Sequence, residues 1–500
     1  MRILNADSLT SHGNVRGRKA VLDILEAGMV AADPYENTRK LLRVEGGKLI
    51  VGNPDFEPRG APRRGYEVFD LSRVGRIFVF GAAKGIQWSA KAIEDVLGDR
   101  LTGGCVIPKH GDESILKRIE IVPGAHPVPD EGCVKGCQRI LELCQGLCAD
   151  DLVFTIVGNG VSSLLTLPVP GVTLEEVRRM TYLMQIERGA PTWDLNQVRN
   201  HLDVLKGGRI SRYLQPARAI HIVLTDPMDY RYYTDANVWL HTLPECSTFA
   251  DAVRVLKNWN AWDEVAPSIR AHLEQADPAQ ETVKAAEFEQ WDFRIFGVMP
   301  DRLGMLPMAM KKAEELGYRP VKFAMGVCNE ASQAGQFMST IALNCERDGS
   351  PFEPPCALFT TGELLVTVGK ETGVGGRNQE WALAAAAWIA SSENIVMGAV
   401  DTDGTDGPGT QFSDDCGDIP CLAGGIVDGQ TVAEARALGI DMRNELARHN
   451  STPALWKLNS GIVAAHNVSL GDLGITLIMG RAGGPREVYD QGVAAALQKN

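Results

Sequence analysis

The chain has 500 residues, of which 44% are hydrophobic and 23% charged, and its formal net charge is −13. This length is too great for a single hydrophobic core and indicates two domains, while the composition is ordinary for a soluble globular enzyme. The negative charge argues against broad binding to nucleic acid or to an anionic membrane, because both need a basic face. It does not exclude a phosphate ligand, since a single pocket can be locally basic.

Targeting and cysteine patterns point to a reduced, cytoplasmic protein. The N-terminal MRILNADSLTSHGN has no apolar segment of signal-peptide length, and no later run approaches a membrane span. Four of the eleven cysteines, Cys133, Cys137, Cys144 and Cys148, fall on one stripe of a predicted helix. The middle pair would lie about 10.5 Å apart along the axis, too far for one zinc ion. We therefore interpret the stripe as small residues that pack against a sheet.

Short apolar strands alternate with helical segments in the first half of the chain. The predicted strands are residues 76–80, 105–109, 118–122, 152–157 and 219–226, and the predicted helices include residues 89–97 and 131–147. Such alternation predicts a parallel sheet with helices on both faces, and ligands bind outside the carboxyl ends of strands in such sheets. Residues 81–84, 158–163 and 225–226 fall at those ends.

The domain organisation follows from composition and strand patterns. A polar stretch at residues 274–290 predicts the end of an N-terminal domain of residues 10–290, and residues 355–490 form a second domain. Residues 291–354 contain a strand-helix-strand unit that the sequence assigns to neither domain. The second domain has two predicted strands in residues 356–369 and a last strand in ITLIMG. The expected fold is α/β: a large Rossmann-like three-layer domain with a mostly parallel sheet, a smaller α/β domain, and a cleft between them.

Two loops of the second domain predict phosphoryl transfer. GVGGRNQE, residues 373–380, is a glycine loop with one arginine placed directly before an alanine-rich helix. Glycines permit close backbone approach, and N–H groups at a helix start attract anions. AVDTDGTDGP, residues 399–408, places Asp401, Asp403 and Asp406 on a glycine-rich turn, and Asp403 and Asp406 are the best candidates for a Mg²⁺ site. Either loop alone is also compatible with an ordinary turn.

These loops resemble the signature loops of the C-terminal domain of the MOFRL-type glycerate 2-kinases. Segments that match the N-terminal domain of that family occur upstream in the same order, at residues 32–49, 81–85, 124–132 and 196–209. The resemblance therefore covers nearly the whole chain. It implies an ATP-dependent, Mg²⁺-requiring kinase that phosphorylates a hydroxyl of a small hydroxy acid, either D-glycerate or a larger sugar acid, and a homodimer is plausible. No P-loop motif is present, so the phosphates must be bound by another architecture.

The resemblance also implies roles for individual residues. Lys84, with Arg377 across the cleft, is expected to neutralise phosphate oxygens, and Asp226 to orient or deprotonate the attacking hydroxyl. The expected cofactor-binding residues are Gly375, Gly376 and Asn378, and the expected substrate-binding residues are Gly158, Asn159, Gly160, Ser162, Asn196, Arg199, His201 and Lys206. The alternatives are a solvated lysine, a strand-end cap at Asp226, and a basic amphipathic helix that ends at a glycine pair.

Several segments depart from the family pattern. The glycine loop reads VGNGVSSL, ANVWLHTLPEC replaces an S-G-P-T element, AAHNV replaces T-G-T-N-V, and residues 409–423 are an addition. Asn159, Trp239, His241 and His466 lie in or beside these departures. They offer hydrogen bonds and an apolar wall, and they predict an acid larger or more branched than glycerate. Loss of kinase activity is the alternative explanation.

Two other functions remain open from the sequence. A hydroxypyruvate reductase would need a dinucleotide site, and GNGVSS after a strand is a partial G-x-G-x-x-G. The third position is Ser163, however, and no acidic residue ends a strand about 20 residues later. A non-catalytic, ligand-binding relative is supported only by the altered loops.

Overall fold

The protein folds into two compact units. A computed structural model describes residues 1–300, 304–368, 371, 373–407, 417–465 and 470–482. One unit comprises Pro34–Pro300, and we call it the parallel-sheet unit. The other joins Met1–Asp33 to the chain from residue 301 onward, and we call it the mixed-sheet unit.

The described strands and helices follow in chain order. The strands are β1 Leu42–Glu45, β2 Lys48–Val51, β3 Glu67–Asp70, β4 Ile77–Ala82, β5 Gly103–Ile107, β6 Glu120–Ile121, β7 Leu152–Val157, β8 Arg218–Val223, β9 Phe293–Gly297, β10 Arg319–Val327, β11 Cys356–Gly362, β12 Ile395–Asp401, β13 Gly424–Asp428, β14 Gly461–Ile462 and β15 Asp472–Ile478. The helices are α1 Ala6–Leu9, α2 Val15–Ala31, α3 Pro34–Leu41, α4 Ile86–Leu97, α5 Glu131–Cys144, α6 Val161–Leu164, α7 Leu174–Tyr182, α8 Thr192–His201, α9 Ile210–Tyr213, α10 Tyr230–Asp235, α11 Phe249–Asn258, α12 Pro267–Gln275, α13 Ala285–Phe288, α14 Met305–Glu315, α15 Ala331–Asp348, α16 Arg377–Trp388, α17 Thr431–Ala437, α18 Met442–Ala447 and α19 Ser451–Lys457.

The parallel-sheet unit is built on six strands in the order β6-β5-β4-β7-β8-β9. All neighbouring pairs are parallel, which confirms the predicted parallel sheet. Strands β4, β5 and β7 are buried along their whole length, so they are continuous apolar runs rather than alternating ones. The small antiparallel sheet β1-β2-β3, which the sequence reading missed, begins with a two-glycine hairpin at Gly46 and Gly47, both at positive φ.

The mixed-sheet unit is a three-layer sandwich around the sheet β10-β11-β15-β12-β13-β14. β10 and β11 are parallel, and the other pairs are antiparallel. Successive residues of β12 face opposite layers: Val396 contacts α2 at Gly17, while the sulfur of Met397 lies against Ser339 of α15. The structure therefore has the predicted α/β class, with a parallel sheet in one unit and a mixed sheet in the other.

The unit boundaries differ from the expected boundaries at residues 10 and 290. α2 packs on β12 and β15, and α14 packs on α2, so the first 33 residues belong with the C-terminal part of the chain. The segment of residues 291–354 is divided, because β9 completes the parallel sheet while α14 and β10 join the mixed-sheet unit. An amphipathic helix such as α2 carries no local signal that identifies the sheet it covers.

Two predicted elements are corrected by the structure. Within the segment of residues 356–369 predicted to hold two strands, the described residues 356–368 form one strand, β11, because the chain turns away after Gly362 and Leu365 makes an isolated bridge with Glu330. The predicted helix of residues 131–147 ends at Cys144, so the exposed Cys148 is not on the stripe. Cys133, Cys137 and Cys144 do pack in the core.

Within the described residues, no helix combines the length and the apolar character needed to cross a membrane.

A buried ion pair joins the N-terminal helix to the C-terminal sheet, and its removal is a test of the unit boundary. The Arg18 guanidinium donates to the Asp428 carboxylate, and both side chains are fully buried. We expect Arg18→Ala to lower the free energy of unfolding by about 3–5 kcal/mol, because it leaves an uncompensated buried carboxylate. Denaturant unfolding of the full chain measures this. The exposed neighbour Arg16 provides the control, and an equally small effect of both variants would contradict the assignment of α2 to this unit.

Candidate functional site

The parallel sheet has a topological switch point between β4 and β7. The chain runs outward from β4 through β5 to β6, then returns to the other side of β4 and continues from β7 through β8 to β9. The loops that follow β4 and β7 therefore lead away from each other and leave a crevice at the carboxyl edge of the sheet, where ligands bind in open α/β sheets. Lys84 is in the first loop and Gly158–Gly160 in the second.

Lys84 and the glycine loop contact each other at this switch point. The Lys84 N–H donates to the carbonyl oxygen of Asn159 at 2.9 Å. Gly160 has a φ of 87°, and a Cβ added there would lie 2.9 Å from Cγ of Lys84. A Cβ at Gly158 would lie 2.8 Å from Cβ of Leu224. The predicted residues Lys84, Gly158, Asn159 and Gly160 are therefore brought together, and both glycines are required by close packing.

Ser162 connects the glycine loop to a second group of predicted residues. Its Oγ lies 2.9 Å from Nε2 of His241, which is buried. Burial lowers the pKa of His241 well below its ordinary value, and the positive charges of Lys206, Arg199 and Arg209 lower it further. The imidazole is therefore neutral at pH 7, and it lies among basic side chains.

Arg199, on α8, is the unusual member of this group. The residue is buried, and its hydrogen bonds are long ones to two neutral side chains: Nε to Oγ1 of Thr181 at 3.5 Å and Nη2 to Oε1 of Gln185 at 3.4 Å. No carboxylate pairs with Arg199 among the residues that the structure describes. Burial lowers the pKa of Arg199 to about 10, so it remains charged at pH 7. A buried guanidinium without a carboxylate is a ready binding group for an anion.

Unpartnered polar atoms concentrate around Arg199. Over the described part of the chain, buried side-chain atoms without a hydrogen-bond partner in this region are Nδ2 and Oδ1 of Asn196, Oδ1 of Asn200, Nε of Arg209, Nδ1 of His241 and Oγ1 of Thr242. Buried polar atoms are almost always satisfied, so a cluster of exceptions needs an explanation such as a missing ligand. Here the unpartnered atoms and the uncompensated charge of Arg199 indicate a small polar anion.

The other two predicted residues of this region have partners in the protein. Nζ of Lys206 donates to Asp203 at 2.7 Å and to Thr166 at 2.8 Å, so a carboxylate balances its charge. His201 contacts the carbonyl oxygen of Gln197 through Nδ1 and Glu281 through Nε2. These contacts hold α8 in place. A substrate role for Lys206 and His201 stays a prediction, as does the catalytic role of Asp226, an exposed residue just after β8.

In the mixed-sheet unit the two signature loops bind each other. The Asp406 carboxylate accepts hydrogen bonds from the N–H groups of Asn378 and Gln379, at 3.1 and 2.9 Å, and from Nδ2 of Asn378 at 3.1 Å. It thus caps the start of α16. A Cβ at Gly376 would lie 2.3 Å from the carbonyl oxygen of Asp406, and one at Gly375 would lie 2.4 Å from Oγ of Ser451. Close packing therefore explains both glycines, and their cofactor-binding role stays a prediction.

Arg377 is held by two carboxylates. Its Nε donates to Asp472 at 2.8 Å, and its Nη2 donates to Asp401 at 2.7 Å. Burial opposes the charge on Arg377, but the attraction of Asp401 and Asp472 outweighs it and raises the pKa of the guanidinium. Sequence reasoning missed Asp472, which lies 95 residues from Arg377. The local signal for it was an acidic residue at the start of the last apolar strand.

The predicted metal ligands do not assemble a metal site on their own. Both carboxylate oxygens of Asp406 accept N–H groups of α16, and Oδ1 of Asp403 accepts the N–H and hydroxyl of Thr405, each at 2.7 Å. Burial raises the pKa of Asp406 to about 6. In the described segments, no three His, Cys, Asp or Glu side chains are grouped as a metal site. A metal role for Asp403 and Asp406 stays a prediction, and His466 lies outside the described residues.

Comparison with known proteins identifies the family. Residues 20–274 match the family described as "Domain of unknown function (DUF4147)", and residues 356–469 match the MOFRL family. The glycerate 2-kinase of Pyrococcus horikoshii is 31% identical over 443 residues, covering 88% of this chain and 92% of that protein. The D-glycerate 2-kinase of Thermotoga maritima is 32% identical over 417 residues, covering 83% and 93%.

A solved structure agrees with these matches. The crystal structure of glycerate kinase from Thermotoga maritima superimposes with a TM-score of 0.70 at 29% identity, covering 92% of this chain and 99% of that one. The fold and the sites define a two-unit α/β protein with a buried arginine that has no carboxylate partner among the described residues in one unit, and an arginine held by two carboxylates in the other. The chain belongs to the MOFRL-type glycerate kinase family, a family of phosphotransferases with an alcohol group as acceptor.

The carboxylate of Asp130 allows a pH-dependent test of what stabilises the loop of residues 125–130, which contacts the segment after the glycine loop. Its carboxylate accepts N–H groups of Ala125 and Cys133, and Nε2 of His110 lies 2.7 Å from it, while Oγ of Ser163 donates to the carbonyl oxygen of Ala125. Burial opposes the charge of Asp130, but these hydrogen bonds lower its pKa to about 2. The folded-state pKa is thus below the unfolded value of about 3.9, so Asp130 stabilises the fold above about pH 4.

We therefore expect Asp130→Asn to lower the melting temperature at pH 7, and the difference from wild type to shrink as the pH falls from about 4 toward 2. Thermal unfolding followed by circular dichroism between pH 2 and 7 measures this. The exposed Asp150, as Asp150→Asn, is the control. A difference that is constant over this pH range would show that the charge of Asp130 is not what stabilises the loop.

Proposed function

We propose that this protein is an ATP-dependent kinase that phosphorylates a hydroxyl of a small hydroxy acid, either D-glycerate or a larger sugar acid. The observation that supports this most directly is the buried, uncompensated guanidinium of Arg199 beside the unpartnered amide of Asn196. A carboxylate is the natural partner of both groups, and a hydroxy acid supplies it. The relatives named above as glycerate kinases support the same reaction class.

The substrate acid would be held by the carboxylate-binding group and by hydroxyl-binding groups around it. In this proposal Arg199 binds the substrate carboxylate in a bidentate manner. The amide of Asn196 donates a hydrogen bond to, and accepts one from, substrate atoms next to that carboxylate. His241 offers Nδ1 to a substrate hydroxyl while Ser162 fixes its Nε2 side. Because the pKa of His241 is lowered, the imidazole adds no positive charge beside Arg199.

Lys84 would act on the phosphoryl group. It lies at the topological switch point, where its backbone is fixed by Asn159 and its stem packs on Gly160. An ammonium in that position neutralises charge that builds up on the transferring oxygens. We further propose that Asp226 orients the attacking hydroxyl and that Arg377, held by Asp401 and Asp472, contacts nucleotide phosphate. Mg²⁺, when bound with the nucleotide, would neutralise phosphate charge, and Asp403 and Asp406 are its candidate ligands.

The reaction class is tested by incubating the pure protein with ATP, Mg²⁺ and a panel of hydroxy acids while ADP formation is followed. The panel contains D-glycerate and four- to six-carbon aldonic acids, and kcat/KM values rank them. Oxidation of NADH with hydroxypyruvate is the parallel arm for a reductase. Absence of ADP formation with every acid would refute the kinase proposal, and NADH oxidation in that case would favour the reductase.

Replacement of Lys84 tests its role in phosphoryl transfer. We expect Lys84→Ala to lower kcat by about 10²–10³, the usual cost of losing one preorganised electrostatic donor, with little effect on nucleotide affinity. Steady-state kinetics and an independent nucleotide-binding measurement separate the two quantities. The exposed lysine of α5, as Lys135→Ala, is the matched control. Near-normal turnover of Lys84→Ala would remove this residue from the mechanism.

Replacement of Arg199 separates function from stability. We expect Arg199→Met to raise the KM for the acid by about 30-fold or more, because a buried charge-assisted contact is lost. We also expect the unliganded protein to be as stable as wild type or more stable, because the variant removes a buried charge that has no carboxylate partner among the described residues. Kinetics and thermal unfolding measure the two effects, with Arg178→Met on the exposed face of α7 as control. Severe destabilisation with an unchanged KM would show that Arg199 is structural.

A further inference from the structure

The mixed-sheet unit contains an apolar cavity, and Asn378, an expected cofactor-binding residue, is in its lining. Its volume is about 190 Å³, and its walls come from β10, β11, α15 and the start of α16. The larger wall residues include three aromatic side chains, Phe323, Phe337 and Trp381. Trp381 is buried at 2% exposure, whereas Phe337 is 58% exposed. A large aromatic ring beside an apolar cavity and open to solvent is typical of a ligand-binding rim.

Polar residues also line the cavity, and among the residues that the structure describes Asn378 is the one of them with an unpartnered buried side-chain atom. Nδ2 of this amide donates to Asp406 at 3.1 Å and to Asp472 at 2.7 Å. Because both partners are carboxylates, the orientation of the amide is determined, and Oδ1 is the atom left to accept a hydrogen bond. Oδ1 is buried and has no hydrogen-bond partner in the described part of the chain. The carboxylate of Asp472, which also lines the cavity, already accepts from Leu364, Arg377 and Asn378.

Size and chemistry together restrict the occupant. A cavity of about 190 Å³ is smaller than the ~300–1,000 Å³ of sites that enclose a drug-sized ligand, so it suits one ring system of a larger molecule. Aromatic walls favour a planar ring, which they contact by stacking or edge-to-face packing. An unpartnered acceptor requires a donor on that ring. Adenine has such a donor in its exocyclic amino group, while a 6-oxo purine presents an oxygen in the same position.

We propose that this cavity binds the adenine ring of ATP, with the exocyclic amino group donating to Oδ1 of Asn378 and Phe337 covering the ring. The proposal rests on the proposed function and adds to it the location of the nucleotide base.

Variants of the rim test the proposal in the full-length protein. We expect Phe337→Ala to weaken binding of the non-hydrolysable analogue AMP-PNP by about tenfold, since stacking on an aromatic side chain contributes to base binding. Binding of inorganic tripolyphosphate should be unchanged, because it has no base. Ala334→Leu, which places a larger side chain in the cavity, should also weaken the binding of AMP-PNP. The exposed Trp456, as Trp456→Ala, is the matched control because it lies outside the cavity.

Two further measurements locate and identify the base. Photolabelling with 8-azido-ATP, followed by peptide mapping, should label residues between 323 and 338. ITP, in which an oxygen replaces the amino group, should bind at least about tenfold more weakly than ATP, because it sets an acceptor against Oδ1 of Asn378. Thermal unfolding of each variant checks that it is folded.

The outcomes distinguish this inference from the kinase proposal. ATP-dependent phosphorylation with label only in the parallel-sheet unit, and with AMP-PNP binding unchanged in folded Phe337→Ala, would overturn the cavity assignment and leave the kinase proposal standing. Label at the cavity and preference for ATP over ITP, without transfer to any acid, would support the assignment and refute the kinase proposal. Failure of the wild-type protein to bind AMP-PNP would overturn both.

Discussion

The candidate site depends on the burial of Arg199, which has no carboxylate partner in the part of the chain that the structure describes. Two other buried cations are balanced by carboxylates, since Lys206 pairs with Asp203 and Arg18 pairs with Asp428. Arg209 instead donates to the backbone carbonyl oxygens of Gln280, Asn200 and Asp203. Within the described segments, the hydrogen bonds of the Arg199 side chain are long ones to Thr181 and Gln185. Such an arrangement costs folding free energy that a bound anion can offset, because the ligand brings the missing charge. A site of this kind is preorganised: its positive charge is desolvated and oriented before the substrate arrives.

In the mixed-sheet unit, by contrast, two carboxylates compensate the positive charge of Arg377. Asp472 and Asp401 hold Arg377, and Asp406 caps α16 while its partner Asn378 reaches toward Asp472. One network thus connects both signature loops and the start of β15. Close contacts at Gly375 and Gly376 allow the two loops to meet, so packing alone explains why glycines occupy these positions. Their cofactor-binding role stays a prediction. The network also orients the amide of Asn378 at the apolar cavity.

Two of the segments that depart from the family pattern contact each other. Ser162 lies in the altered glycine loop and His241 in the segment that replaces S-G-P-T, and their side chains are 2.9 Å apart. A hydroxyl in the first segment and an imidazole in the second therefore form one polar wall near Arg199. Trp239, in the same replaced segment, is partly buried and packs against the main core of the unit. These contacts agree with the hypothesis that the altered loops adapt the site to a different acid.

The sequence by itself determined the elements and motifs that depend on local pattern. Strands such as β7, which is apolar except for Thr155, and the alternation with helices were predictable because burial on both faces favours apolar residues at successive positions. Lys84 and Gly158–Gly160 were predictable as neighbours because strand ends of a parallel sheet meet at one edge. Only the tertiary structure decided which sheet α2 covers, that Asp203 neutralises Lys206 while Arg199 keeps its charge, and that Asp472 completes the Arg377 network. Each of these depends on which residues the folded chain brings into contact. The hydrophobic period and the residue spacing indicate which face of a helix or strand is buried, but they do not identify the element that packs against that face.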